Sequence, residues 1–214
     1  MRSLFSRALA VTAILMLHSA ARAAVIFSNL GPGDSYIGNS GLTIDTAPRS
    51  VASAFTPTTA ALFGGVEAAI MRNPNFYAYT GNTDIALAAD LGGSPGAIIE
   101  DLGVHPTQAD LGTTNSGSLV AASSSFHPLL AAGTQYWIVV APVDFGPTYY
   151  TAAAWTFNNT GNANPVRTNF QNQGWQDTGT LAPAFRISSY VPEPASLALL
   201  ALSCVAVIPA RRRL

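Results

Sequence analysis

The sequence contains no lysine and a single cysteine, and charged residues make up only 10% of its 214 positions, against about a quarter in an average soluble domain. Each lack excludes something. The one cysteine, Cys204, lies close to the C-terminus, so the body of the chain has no disulfide and no thiolate nucleophile. Zinc sites built on cysteine pairs are excluded for the same reason. Long helices are missing too: between residues 31 and 194 the longest run free of glycine and proline is Thr148 to Thr160, and both residues break helices.

The charge balance of -1 is misleading. Arg2, Arg7, Arg22, Arg211, Arg212 and Arg213 sit at the ends, whereas Ala24 to Tyr190 holds only Arg49, Arg72, Arg167 and Arg186 against ten acids, a net of -6. An acidic body cannot release counterions from phosphate, which excludes nucleic acid as a partner, and it gains nothing from anionic lipid heads. With 49% apolar residues and a mean hydropathy of +0.28, the chain is globular rather than disordered. A body of this length buries close to 70% of its surface, so its stability comes from a core without disulfides.

What is present is clearest at the ends. Arg2 and Arg7 precede an uncharged apolar stretch, Ala8 to Leu17, and the small-residue pattern Ala21-Arg22-Ala23 follows. This is the layout of a secretory signal peptide over residues 1–23. Its apolar part is about half the roughly 20 residues a spanning helix needs, which predicts cleavage after Ala23 by signal peptidase. At the other end, Val191 and the tripeptide Pro192-Glu193-Pro194 precede an apolar segment, Ala195 to Ala210, and the terminus Arg211-Arg212-Arg213-Leu214. The three arginines resist translocation, so a chain threaded outward stops with its C-terminus cytoplasmic and the helix in the inner membrane. Sixteen residues at 1.5 Å each span about 24 Å, short of a 30 Å hydrocarbon core, a gap that snorkelling arginines and local thinning accommodate. Paired prolines keep residues 192–194 extended and outside the helix, open to a processing enzyme. Cys204 reads as a small hydrophobe of this helix. A permanent tail anchor behind a proline-rich linker is the alternative.

The order Pro-Glu-Pro, apolar helix, basic end resembles the PEP-CTERM sorting signal of Gram-negative bacteria, over residues 191–214. That resemblance implies an exosortase as partner, a membrane protease-transpeptidase that removes the tail and leaves the body at the outer envelope or secreted.

Between these ends, short β-rich runs recur: Ala24–Ser28, Leu42–Thr46, Ser50–Thr56, Val66–Met71, Asp84–Ala89, Ala97–Leu102, Ser118–Phe126, Gln135–Ala141, Tyr149–Phe157, Val166–Phe170 and Ala184–Ser189. Their number and spacing predict an all-β domain over residues 24–190, a β-sandwich of jelly-roll-like kind. In Gln135 to Val140 both alternating faces are apolar, the mark of a central strand. Val66–Met71 carries Ala and Glu and leaves a helical turn open as a second reading.

Leu130-Ala131-Ala132-Gly133-Thr134-Gln135-Tyr136-Trp137, followed by Ala154-Trp155-Thr156 and Gly174-Trp175, resembles the choice-of-anchor domains of exported bacterial proteins, the R type in particular. The resemblance covers about 140 residues and implies a surface domain of undetermined activity; it carries no catalytic residues across, and no cofactor is expected.

Catalytic patterns are thin. Gly92-Gly93-Ser94-Pro95-Gly96 has the spacing of the serine-hydrolase elbow, but Pro95 lacks the N–H that donates to the oxyanion and Ala97 onward reads as strand, so a plain turn is expected. His105 and His127 each precede proline, which predicts loop positions, and two histidines without helical spacing make a poor metal set. Glu67, Asp84, Asp90, Glu100, Asp101, Asp110 and Asp144 offer carboxylate pairs for glycoside hydrolysis, although Glu100 and Asp101 are adjacent and face opposite sides of a strand. Gly81-Asn82-Thr83-Asp84, and Asp34 near Asn39, could supply oxygens to calcium, against the ordinary reading as solvated turns. Tyr77, Tyr79, Tyr149, Tyr150 and Trp175, with Asn158, Asn159, Asn162 and Asn164, could form a sugar-stacking platform, or the aromatics could be core. Three functions follow in order: a structural or interaction protein of the envelope or extracellular matrix (biofilm, exopolysaccharide), a carbohydrate-binding module, and a secreted hydrolase.

Overall fold

A computed structural model of the chain describes residues 23–45, 48–72, 82–106, 117–143, 145–146, 149–150 and 152–191. Ala24–Tyr190 forms one compact unit. It is all-β, its ladders are antiparallel, and no helix occurs among the described residues. The signal helix and the transmembrane helix expected at the two ends fall outside the described residues, among which no helix is long and apolar enough to cross a membrane.

The strands are β1 Val25–Ser28, β2 Gly41–Asp45, β3 Arg49–Phe55, β4 Ala61–Arg72, β5 Asn82–Asp90, β6 Pro95–Pro106, β7 Ser118–Ser123 and β8 Leu129–Leu130. They continue with β9 Tyr136–Pro142, β10 Phe145–Gly146, β11 Tyr149–Tyr150, β12 Ala152–Thr156, β13 Val166–Phe170, β14 Trp175–Asp177 and β15 Phe185–Ser189. Each of the eleven expected runs contains a strand. Val66–Met71 is extended, the middle of β4, because both edges of β4 find partners: Val66 pairs with Ile187 on one side and with Ala122 on the other. Tyr149–Phe157 is divided into β11 and β12, and Ser118–Phe126 leaves its ladder at Ser123.

One sheet of 13 strands runs β1-β15-β4-β12-β2-β3-β9-β5-β6, with β13 and β14 added beside β3 and with β7 and β8 beside β4. It doubles back, so that Val66, Ile70, Val120, Phe185 and Ile187 from the β4 half share one core with Val51, Ile85, Leu87, Ile138 and Val140 from the β9 half. That is the arrangement of a β-sandwich. Phe55, Phe63, Trp155 and Phe185 are fully buried, and each contributes about 2–3 kcal/mol of transfer free energy. Phe185 is the centre of an aromatic group, 5.0 Å from Phe27, 6.2 Å from Phe55 and 5.5 Å from Trp155 between ring centroids.

β9 is the central strand that its two apolar faces predict. Tyr136, Ile138 and Val140 enter the main core, while Trp137 and Val139 enter a second cluster with Ala52, Ala54 and Ala88 on the outer face. Strand β4 passes so close to β15 that a Cβ on Gly64 would lie 2.5 Å from the carbonyl group of Ser189 and 2.7 Å from the nitrogen of Tyr190. Both ends of the unit meet beside it: the nitrogen of Ala24 is 2.9 Å from Ser189 Oγ, and the Ser189 N–H donates to the carbonyl of Ala24 at 2.8 Å.

Candidate functional site

The segment Leu130 to Trp137 builds one end of the outer face. Gly133 adopts φ +71°, a left-handed conformation that costs glycine little, and its N–H donates to Pro57 O at 2.9 Å. The Ala131 N–H donates to Tyr136 Oη at 3.0 Å, closing the turn from within. Gln135 Nε2 and Trp137 Nε1 both donate to Asp90 Oδ1, at 2.7 and 2.8 Å, and the Gly93 N–H donates to Asp90 Oδ2. The Trp137 N–H is the largest influence holding the Asp90 carboxyl below its ordinary pKa. The Tyr136 hydroxyl, the Gln135 amide N–H and the Trp137 N–H are thus spent on the fold.

Cross-strand register places Arg167 opposite Ala52 and Ala52 opposite Val139, on the face that carries Trp137. The Arg167 guanidinium stands 6.0 Å from the Trp137 ring, donates from Nε to Gly93 O at 3.1 Å, and pairs with Asp177 at 2.6 Å. Trp175 of β14 packs half-buried against the same cluster. β14 has only three residues, too few for alternation to reveal it, and β13 holds it through the pair Arg167↔Asp177. The third tryptophan, Trp155, faces the main core and donates from Nε1 to Ala184 O at 2.9 Å.

Adjacent Glu100 and Asp101 do face opposite sides. Glu100 is buried at 2% exposure and accepts from Ser124 Oγ at 2.6 Å, Ser125 N–H at 2.6 Å, Ser125 Oγ at 3.1 Å and Phe126 N–H at 2.9 Å. Burial pushes its carboxyl up, and these donors outweigh it, so the group titrates below its ordinary value. Among the described residues no cation takes part; the carboxylate ties β6 to the turn after β7. Asp101 accepts from the Gly103 N–H and is hydrogen-bonded to Asp84 across a bulge in the β5–β6 ladder. Burial, the neighbouring charge of Asp101 and that shared hydrogen bond raise Asp84 to a pKa of about 6. The chemistry of the two carboxyls is that of a dyad sharing one proton.

The remaining sequence candidates are dispersed. His105 is not in a loop but within β6, opposite Thr83, because the extended backbone that a following proline favours is also that of a strand, and β5 supplies the partner. His127 does lie in a turn, at φ +49°, with Nδ1 3.3 Å from Phe63 O. Glu67 pairs with Arg186 at 2.6 Å, and so does Asp34 at 2.8 Å, which commits Asp34 to a cation of the protein itself. Asn82–Asp84 opens β5 instead of forming a calcium loop, and among the described residues no three of His, Cys, Asp and Glu converge. Gly92–Gly96 is a turn closed by the Leu91 N–H on Ser94 O at 2.8 Å, leading into a strand. Asn158 is fully buried: its amide donates to Asn162 O and Ala182 O, and its oxygen accepts from Thr160 and Asn162, so it organises a loop rather than awaiting a sugar. Asn159 donates to Ser35 Oγ and Asn164 to Ala54 O. Tyr77, Tyr79, Asp110, Asp144, the processing residues Ala21, Pro192, Glu193 and Pro194, and Arg211 to Arg213 lie outside the described residues; Ala23 is described but exposed and without assigned structure, and of Tyr149 and Tyr150 only the backbone is described.

No protein-family model matches the chain, and neither does any curated protein. Among solved structures, it is similar to the cysteine protease and lectin-like domains of Cwp84, a surface layer associated protein of Clostridium difficile, at 14% identity and TM-score 0.44, over 68% of this chain and 32% of that one. It is also similar to the clostridial cysteine protease Cwp84 after propeptide cleavage, at 14% identity and TM-score 0.48, over 73% of this chain and 39% of that one. The chain thus spans well under half the length of either protein.

Proposed function

We propose that the chain is an exported envelope protein of the PEP-CTERM kind, with a non-catalytic, jelly-roll-like choice-of-anchor body. In this reading signal peptidase cuts after Ala23, the apolar segment Ala195–Ala210 holds the chain in the inner membrane, and an exosortase acts near Pro192-Glu193-Pro194 to release the body to the cell surface or matrix. The observation that carries the reading is the clasp between Ala24 and Ser189, whose backbones and Ser189 hydroxyl are joined at 2.8 and 2.9 Å. The compact unit Ala24–Tyr190 begins at the residue after the expected signal cleavage and ends two residues before the expected sorting tripeptide, which supports the reading of both as processed segments. The non-catalytic part rests on the use of the polar groups. Asp90, Glu100, Asn158 and Arg167 are each occupied by bonds that hold strands and turns.

Intact mass and fractionation of the full chain in a host with and without an exosortase test this. Loss of the segment from about residue 192 only when the enzyme is present is expected. An unprocessed, membrane-retained tail in both hosts would reduce the segment to a simple anchor and remove the matrix role.

A further inference from the structure

The end of the sandwich from which the C-terminal segment departs exposes several large apolar side chains. β4 starts there at Ala61, β15 leaves at Ser189 opposite Phe63, and the Tyr190 N–H donates to Leu62 O at 2.8 Å. Leu62 is the register partner of Leu129. Leu62 is 40% exposed, Leu129 67% and Phe126 77%, and Val25, opposite Ser188, is 57% exposed. Among the described residues no arginine is available at this end. Arg49 and Arg72 stand at the opposite ends of their strands, and Arg167 and Arg186 are committed to Asp177 and to Glu67 and Asp34. The nearby carboxylate, Glu100, is buried with its oxygens taken.

Exposed aromatic and leucine side chains in a group mark an interaction surface rather than scattered surface hydrophobes. Chain length says what faces it. Four residues, Val191 to Pro194, separate Tyr190 from the apolar segment, a reach of at most about 18 Å when fully extended. A headgroup layer takes up about 5–7 Å of that. A tether this short holds the end of the body at a millimolar effective concentration of membrane, where a weak apolar contact is occupied.

We propose that Phe126, Leu129 and Leu62 form a foot that rests in the lipid interface while the C-terminal segment is still in place. The inference rests on the reading of Ala195–Ala210 as a membrane anchor. Because the side chains of the foot, Phe126, Leu129 and Leu62, carry no charge, the contact is apolar insertion and does not require anionic lipid.

The test uses the full chain in neutral phosphatidylcholine vesicles, in a Cys204→Ser background, with an environment-sensitive fluorophore on Phe126→Cys or, at the far end of β6, on Val104→Cys, which is 52% exposed. Flotation with the vesicles reports the anchor; the fluorophore reports the foot. The expected result is blue-shifted emission at residue 126, quenched by spin-labelled lipid, with a water-like spectrum at residue 104. Protein that floats while residue 126 is as wet as residue 104 overturns the foot and leaves the anchor standing. Protein that does not float overturns both. A probe at residue 126 that is shielded in proportion to protein concentration, without quenching by lipid, identifies a second copy as the occupant and overturns the proposal. Leu129→Cys, labelled in the same way, repeats the reading should the Phe126 variant fail to fold.

Discussion

The imidazole of His127 stacks on the ring of Tyr190, with centroids 3.5 Å apart and planes inclined by 17°. The last residue of the folded body is thereby held against the turn between β7 and β8, the same turn that Glu100 captures from the opposite half of the sandwich. Tyr190→Ala is expected to cost about 1 kcal/mol, the scale of an aromatic pair, and to speed exchange of the Tyr190 amide. A double-mutant cycle with His127→Ala checks it. Strictly additive losses would mean that the stack contributes nothing.

Gly64 has room for hydrogen alone, since a Cβ would collide with the backbone of Ser189 and Tyr190 rather than with a flexible side chain. Gly64→Ala should therefore push β15 off β4 at its last residues and lower stability by about 1–3 kcal/mol, the usual cost of overpacking. Urea unfolding measures the loss. Protease cutting between Ser189 and Pro192 should accelerate with it.

Glu100→Ala leaves the Ser124 hydroxyl and the N–H groups of Ser125 and Phe126 without their acceptor. A loss of about 3 kcal/mol or more is expected, from about 1–3 kcal/mol per stranded group. The pH dependence has a definite sign. Glu100 titrates lower in the fold than in the unfolded chain, so its contribution is complete above the unfolded pKa and disappears as the pH falls through the folded one. Acid unfolding curves of Glu100→Gln should be flatter than those of the native chain below about pH 4.5. Identical curves would disprove the clamp.

The Asp84–Asp101 pair has the opposite sign. Asp84, raised to about 6, is protonated more readily in the fold than in the unfolded chain, so the pair is favourable below about pH 4 and loses that advantage as the pH rises through 6. Asp84→Asn should gain stability on the native chain between pH 4 and pH 7, by on the order of 1 kcal/mol because solvent screens the pair. Melting temperatures of both proteins across that range decide it. A constant difference would mean that the two carboxyls do not share a proton.

The glycine and proline punctuation excluded long helices and marked the runs that became strands, and alternation in Gln135–Val140 identified the central strand with its two buried faces. Those features were legible because a residue's backbone limits and a strand's period of two are local properties. The apolar and arginine-bearing ends, and the net -6 of the body, are likewise written in one dimension.

Which carboxylates meet was decided only in three dimensions. Asp84 and Asp101 lie 17 positions apart in the chain and are joined by a bulge that shifts the β5–β6 register. Glu100 reaches from one half of the sheet to a turn of the other. Asn158 looked like a surface hydrogen-bonder and proved to be buried. β8, β10 and β14 are two or three residues long, below the length at which a pattern can be recognised, and exist because a neighbouring strand presents unpaired N–H and C=O groups. The sequence by itself determined the class of fold, the lack of disulfides and the character of both ends, because composition and periodicity act locally. The tertiary structure alone decided that both ends of the body meet at Ala24 and Ser189 and that exposed Leu62 and Leu129 pair next to Tyr190, because register and layer contact join groups far apart in the chain.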